Sequence, residues 1–571
     1  MTQKLVECVP NVSEGNDPRA IAEITAVLGT IPGVTLLDVD PGKETNRTVI
    51  TFVGDPAAVV EGAYRLIKRA GETIDMRRHK GAHPRIGATD VCPFVPVTGV
   101  TMEECAALAR ALGERVGRDL RIPVYLYEAA SSAPARKNLA DIRKGEYEGL
   151  EDKLRDRAWK PDFGPAAWND AVARTGATVI GARPFLIAYN VNLNTKDKRL
   201  ATEIALRIRE GGRARRDGAG EIVRNPDGTP VKEAGLFKSV KAVGWFIPEY
   251  HRAQVSINLT DFTIAPPHAV FDACVAIAAE LGLRVTGSEL VGLIPREALL
   301  AAGRHYLSRQ KRTTGAPEAE IVETAIQSLG LADLGPFDPA KKVIEYRVGQ
   351  GRDGRLASMT VRGFADELST DSPAPGGGSV AALLGSLSAA LSCMVANLTY
   401  GKKGYESATA EMERLAASAQ ALKDALLADV DRDTDAFNAV IDAMRMPKVR
   451  PEEVASRDAA LAAAYRHATE VPLSVLVRAR DAARLASLAA SRGNRSSLSD
   501  AGVASIAALA AAEGAYLNVL INLPQVAPRD RSRLKTRAAK AIADVRSTCR
   551  QAQRRVGAAL SAQASGKRRR G

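Results

Sequence analysis

Two of the six histidines, His79 and His83, stand four residues apart in the stretch RRHKGAHPRIGATDVCP at residues 77–93. Two zinc-binding histidines use that spacing on one helical face, but such a pair needs an unbroken helix. Here Gly81 lies between them, Pro84 follows His83, and Lys80 fills the place of the HExxH glutamate. A residue before proline is pushed out of the α region, so the pattern argues against a metal pair. Acid–base chemistry is the alternative, because imidazole exchanges a proton near neutral pH. Arg77, Arg78, Lys80 and Arg85 surround His83 in sequence. Their charge favours the neutral ring and attracts an anionic substrate. A pair of surface histidines in a basic loop is the plain reading that stands beside it. Asp40, at the end of the apolar run VTLLDVD, is a site candidate or a turn residue.

A second cluster is acidic: Asp429, Asp431, Asp433 and Asp435 within DVDRDTD. On a helix, 431 and 435 share a face and 433 points elsewhere. Such a run is either a solvated face or a set of carboxyls crowded enough to raise one pKa into a working range. Upstream, PAPGGGSV opens an uncharged stretch from Ser372 to Gly401. Free N–H groups at a helix start receive a carboxylate, and glycines equally allow close helix packing. Asp500 reads as a helix N-cap.

The elements that must position these groups fall into three pieces. Over 1–180, strand and helix patterns alternate: LVECVPNV, DPRAIAEITAVLG, VTLLDVD, TVITFVG, PAAVVEGAYRLIKRAG, DVCPFVPV, TMEECAALARALGERVG and IPVYLYEA. Residues 181–325 repeat the order strand, helix, two strands, helix, strand. Two similar α/β lobes with a cleft between them are therefore expected, joined by the loop WKPDFGPAAWND. The polar insertion over 213–234 reads as a flexible loop, and residues 326–360 as a linker. Residues 361–560 are Ala-rich and helical in pattern, an all-α domain expected to bury surface in an oligomer. A basic tail, 561–571, ends the chain.

The 571 residues carry a formal charge of +13, with 5% aromatics. The charge suits a polyanionic small molecule or a nucleic acid. The scarcity of aromatics and of any nucleic-acid motif disfavours the second. Six cysteines without CxxC spacing point to reduced thiols and a cytoplasmic setting, as does an N-terminal stretch without a signal-peptide core. The uncharged stretch is long enough to span a membrane, but its Ala, Ser and Gly content suits a buried helix better.

With these residues in view, LVECVPNVSEG, TNRTVITFVG, DMRRHKGAHPRIGATDVCPFVPV, GARPFLIAYNVNL and GSELVGLIP resemble the transferase half of the formimidoyltransferase–cyclodeaminase family. SPAPGGGSVAALLGSLSAALSCMVANLTYG, VDRDTDAFNAV and GAYLNVLINL resemble its cyclodeaminase half. The resemblance implies a two-lobed α/β unit followed by a helical domain. It implies transfer of a formimino group from N-formimino-L-glutamate to tetrahydrofolate, then ring closure to 5,10-methenyltetrahydrofolate with loss of ammonia. It implies His83 as the transferase base, with His79 a neighbour that orients the loop or contacts a carboxylate, and a folate loop from Gly164 and Pro165 to Gly176; Asp40 and Arg85 are expected near the substrates. It implies Asp433 as the cyclodeaminase acid–base, with Asp431 as second choice. No metal, membrane or nucleic acid is expected, and the oligomer is expected to form through the helical domain. Formyl transfer with cyclohydrolase chemistry, or a non-enzymatic basic scaffold, remain the alternatives.

Overall fold

The structure is a computed structural model that describes residues 4–42, 45–81, 83–349 and 356–567. The chain divides into two units: Met1–Ala302 with Ile326–Val348, and Gly303–Ala325 with Gly349–Gly571.

The first unit holds two main sheets. One is built from β1 (Leu5–Cys8), β2 (Asn11–Val12), β3 (Val34–Gly42), β4 (Arg47–Gly54), β5 (Thr89–Thr98), β6 (Val124–Glu128) and β7 (Thr178–Ala182). β1 and β2 are successive pieces of one strand lying between β4 and β5, and β3 pairs with β4. These pairings are antiparallel, whereas β7 and β6 extend the β5 edge in parallel. The other sheet runs through β8 (Ile187–Leu193), β11 (Val240–Ile247), β12 (Arg252–Leu259) and β13 (Val285–Val291), in the order β11-β12-β8-β13, all antiparallel. Between β8 and β11, β9 (Arg213–Ala214) and β10 (Lys232–Glu233) pair with each other. Both lobes thus share a split βαββαβ topology, as the repeated strand–helix order predicts.

Alternation fixes the two faces of the first sheet. Val6, Cys8, Val12, Ile50, Phe52, Cys92 and Phe94 are buried in one core with Leu66 and Ile67 of helix Pro56–Thr73 and Leu112 of helix Met102–Arg115. Their neighbours Glu7, Val9, Asn11, Val49, Thr51, Val91 and Pro93 point to the opposite face, where Val91 also packs against Ile142, Leu150 and Val172.

Three expectations are corrected. The loop WKPDFGPAAWND does not join the lobes. It belongs to the first, where Phe163 O accepts Val124 N–H and Trp159 O accepts the Tyr125 hydroxyl, both before β7 completes that sheet. The insertion over 213–234 is a paired arm, with further bridges Arg216–Ile222 and Arg224–Pro230. Residues 326–360 are not a plain linker: Ile326, Leu329, Leu331, Val343 and Ile344 are buried, and short helices run over Pro339–Lys342 and Ile344–Gly349. Apolar side chains with somewhere to pack made a connector of ordinary length into part of the first unit.

The second unit is built on five long helices: α1 (Gly377–Thr399), α2 (Thr409–Arg445), α3 (Pro451–Arg492), α4 (Leu498–Asn522) and α5 (Pro528–Lys567). Small residues let their backbones approach. Each buried hydroxyl finds a carbonyl: Ser379 to Val430 at 2.8 Å, Ser386 to Lys423 at 3.0 Å, Ser388 to Ala504 at 2.7 Å. Pro472 sits inside α3. It lacks the N–H that the Ala468 carbonyl would normally accept, and Asn522 Nδ2 from α4 takes that place at 2.8 Å. The expected basic tail begins as helix, since α5 runs to Lys567; residues 568–571 lie outside the described residues.

Candidate functional sites

This second face of the first sheet floors a cavity of about 940 Å³. Its walls include Phe185, Leu186, Asn258 and Leu293, and six cations face it: Arg47, Arg143, Arg183, Lys341, Lys342 and Arg347. Three acids, Glu7, Asp38 and Asp40, line it too. Such a chamber suits an elongated anion with a flat apolar portion.

His83 lies beside two of those cations. Burial, then the charge of Arg47, lowers its pKa, with Arg143 adding; the Pro84 carbonyl and Asp90 oppose them. Its Nδ1 is 2.7 Å from Pro84 O. With the proton on Nδ1, that hydrogen bond leaves the Nε2 lone pair as the base. Asp90 is fully buried and ion-paired with Arg143, and its Oδ1 accepts the Ile86 N–H at 3.1 Å, which ties down the segment after His83. Burial lowers the Arg47 pKa to about 10, and Arg47 Nε has no hydrogen-bond partner. It is a desolvated cation ready for an anion.

Arg85 is buried and its guanidinium is engaged internally: Nη1 and Nη2 pair with Glu148 at 2.8 and 2.7 Å, Nη1 reaches Glu146 at 3.1 Å, and Nε donates to His79 Nδ1 at 3.2 Å. His79 Nε2 in turn donates to Asn46 O at 2.8 Å. Both residues therefore hold the loop in place, and Arg85 also lines a second pocket with Lys80, Gly81, Glu146 and Glu148. Asp40 is exposed and lines the cavity. Gly164, Pro165 and Gly176 are not part of its wall. The first and last are backbone necessities: at φ +81° a Gly164 Cβ would lie 2.3 Å from Ile122 O, and at φ +67° a Gly176 Cβ would lie 2.3 Å from Ile86 O.

In the second unit the four aspartates of α2 have separate places. Asp429 is fully buried and paired with Arg432 at 2.9 Å and with Arg478. Asp431 accepts the N–H groups of Leu356 and Ala357 at 2.8 and 3.2 Å, so it anchors that turn. Asp435 is exposed. Asp433 alone sits against the glycine-rich start of α1. A Cβ on Gly378 would lie 2.1 Å from its Oδ1 and 2.4 Å from its Cγ. Burial raises its pKa, hydrogen bonds from Ser379 oppose this, and the charge of Asp429 adds to the rise. A half-buried carboxyl at a helix N-terminus, its pKa raised by burial, is more readily protonated than an exposed one and can both accept and return a proton. Two sequence readings change here. Asp429 is no solvated face, because two arginines let it be buried, and Asp500 lies in the first turn of α4, whose N-cap position belongs to Ser497.

Sequence patterns of known families cover most of the chain. "Formiminotransferase domain, N-terminal subdomain" matches residues 5–183, "Formiminotransferase domain" matches 188–349, and "Formiminotransferase-cyclodeaminase" matches 360–541. A formimidoyltransferase-cyclodeaminase of Mus musculus is 44% identical over 522 residues, which is 91% of this chain and 92% of that protein. The chain belongs to the formimidoyltransferase-cyclodeaminase family. Each half also has single-domain relatives. A glutamate formimidoyltransferase of Streptococcus pyogenes is 40% identical over 304 residues, 53% of this chain and 93% of its own length. A methenyltetrahydrofolate cyclohydrolase of Methylorubrum extorquens is 40% identical over 163 residues, 28% of this chain and 78% of its own length.

Several groups in this family member's cavity were not singled out from sequence: Glu7, Asn11, Arg143, Arg183, Lys341, Lys342 and Arg347. Period-2 alternation in LVECVPNV puts Glu7 and Asn11 on the same face, a signal that was available. The cations of 341–347 lie in the segment read as a linker. Among the described residues no group of three or more His, Cys, Asp or Glu is placed to hold a metal ion.

Proposed function

We propose that this chain performs two consecutive reactions on reduced folate. In the first unit, N5 of tetrahydrofolate attacks the formimino carbon of N-formimino-L-glutamate. Nε2 of neutral His83 takes the N5 proton and returns it to the glutamate nitrogen as the carbon–nitrogen bond breaks. Arg47 and Arg143 hold substrate carboxylates, and Lys341, Lys342 and Arg347 suit the glutamyl tail, including a polyglutamyl one. In the second unit, N10 of 5-formiminotetrahydrofolate attacks the same carbon. Asp433 accepts the N10 proton and protonates the departing ammonia, leaving 5,10-methenyltetrahydrofolate.

The observation that carries the proposal is a pair of proton-transfer groups with opposite perturbations, His83 lowered beside cavity-lining cations and Asp433 raised against a glycine-cleared helix start. The likeness to a methenyltetrahydrofolate cyclohydrolase favours a second reading for the helical unit, hydrolysis of the methenyl bridge. The protein works in the cytoplasm, consistent with six free thiols. It assembles into a homo-oligomer through the helical unit, where Val503, Ile506, Leu517 and Ile521 leave an exposed apolar stripe on α4.

The test is to supply formiminoglutamate and tetrahydrofolate and follow glutamate, ammonia and methenyl-folate absorbance. His83→Ala should lose about 10²–10⁴-fold in glutamate release and keep ammonia release from added 5-formiminotetrahydrofolate. Asp433→Asn should do the reverse. A wild-type protein that accepts formylglutamate but not formiminoglutamate, or hydrolyses methenyl-folate without releasing ammonia, would replace this reading with the second one.

A further inference from the structure

We infer that Glu7 recognises the pterin end of the folate, its carboxylate pairing with the 2-amino group and N3–H of the pyrimidinone ring. This rests on the proposal above that tetrahydrofolate occupies the cavity of the first unit.

Glu7 is 2% exposed yet lines the cavity wall. It makes no hydrogen bond or ion pair among the described residues, so a buried carboxyl stands without a partner in a chamber built for a ligand. Buried polar groups are ordinarily satisfied, and the missing partner is the ligand. The pyrimidinone edge offers two parallel N–H donors, the same two-point pattern with which a guanidinium meets a carboxylate. The surroundings suit a flat ring: Val9, Val49, Val91, Pro93 and Phe185 line the same cavity.

Position along the strand agrees. Asn11 pairs in register with Val49 and Val91, next to the Arg47 and Asp90 end of the sheet that perturbs His83. Glu7 lies four residues away, about 13 Å at 3.3 Å per residue. In a pterin, N5 and the 2-amino nitrogen are about 5–6 Å apart by summed bond and ring lengths. Adding a hydrogen bond of about 2.9 Å at each end spans about 11 Å. A ring with N5 at His83 therefore directs its amino edge toward Glu7. Asn11 Oδ1, also buried and without a partner among the described residues, is a further acceptor on the same cavity wall.

The pairing predicts a pH signature. Burial raises the Glu7 pKa to about 8, opposed by Arg183 and reinforced by Glu345. The other charged or titratable groups on the cavity wall are Asp38, Asp40, Arg47, Arg143, Lys341, Lys342, Arg347 and Tyr127. Burial pushes the Tyr127 hydroxyl up to about 12, outside the range concerned. The pterin donors select the ionised carboxyl, so binding must expel the Glu7 proton below pH 8. Affinity then rises with pH up to about 8 and levels off above it.

The experiment measures glutamate release by the full-length protein with tetrahydrofolate and with its 2-desamino-2-methyl analogue, which lacks one donor. Wild type should prefer tetrahydrofolate by about 10²-fold in kcat/KM. Glu7→Gln should raise the tetrahydrofolate KM by a similar factor, leave the formiminoglutamate KM within twofold, and prefer tetrahydrofolate by only a few-fold. It should also abolish the fall of KM between pH 7 and 8. Glu7→Asp keeps a carboxylate and should keep a preference above tenfold even if overall activity drops. A wild type indifferent to the analogue, a Glu7→Gln variant that still discriminates like wild type, or a KM that rises through pH 8 overturns the assignment while leaving His83-dependent transfer intact. Transfer that survives His83→Ala removes the underlying placement of the reaction instead.

Discussion

The close approach of Asp433 to Gly378 makes a one-methyl test of the cyclodeaminase assignment. Replacing Gly378 by Ala puts a Cβ 2.1 Å from Asp433 Oδ1 and 2.4 Å from Cγ. Ordinary contact needs about 3.4 Å or more, so the carboxyl must retreat by about 1 Å. A misplacement of that size at a reacting group costs about 10²-fold in rate. The backbone at Gly378 is helical and needs no special φ, so alanine itself relieves unfolded-chain entropy worth about 0.4–1 kcal/mol, which offsets part of the crowding. Gly378→Ala should therefore lower ammonia release from 5-formiminotetrahydrofolate by about 10²-fold, with glutamate release from formiminoglutamate unchanged and the melting temperature shifted by only a few degrees. Wild-type ammonia release in this variant would mean that the carboxyl position does not matter to ring closure, and the role given to Asp433 would fall.

Two further expectations follow from the same geometry. Asp429→Asn removes the partner of Arg478 and Arg432 and should cost about 3 kcal/mol, read as a fall of roughly 6–12 °C in the melting temperature of the helical unit; an unchanged melting curve refutes the buried pair. His83 acts as a base only when neutral, so kcat at saturating tetrahydrofolate should rise with pH through a pKa lowered below the ordinary imidazole value. Arg47→Gln removes a cation that lowers that pKa and should move the rising limb of kcat, read at saturating tetrahydrofolate, to higher pH, while a limb that stays put or moves down separates Arg47 from His83.

Much of this was legible in the sequence because local signals agreed with the packing. Strands such as TVITFVG carry β-branched and aromatic residues at period 2, and helices such as TMEECAALARALGERVG bring their own caps, here a Thr101–Glu104 box. Lines such as LVECVPNV also hid information, since a strand buried on one face by helices and on the other by a ligand cavity reads as almost uniformly apolar. Glu7 then looks like an interruption instead of the face marker it is. The segment over 326–348 failed for the opposite reason. Its helices over Pro339–Lys342 and Ile344–Gly349 are short, its apolar residues are interrupted by Gly330, Gly335 and Pro336, and the cations at 341–347 suggest solvent unless one knows that a cavity lies beside them. For Arg85 the sequence shows a charge but not its partners, Glu146 and Glu148, about sixty residues on.

The aspartates of α2 show why spacing alone could not choose among them. A helix turns about 100° per residue, so alternate positions face different neighbours, and each neighbour sets a different chemistry. Asp429 meets Arg478 from α3 and is locked in a buried ion pair. Asp431 meets the backbone of Leu356 and Ala357 and is consumed as a cap for that turn. Asp433 meets a helix start cleared of side chains, where its carboxyl is desolvated, supported by Ser379, and raised further by the charge of Asp429. That combination raises the carboxyl's proton affinity, and the glycines leave the room for it. The GGG run and the DVDRDTD run are therefore one feature written fifty residues apart: the first has no side chains because the second must put one there.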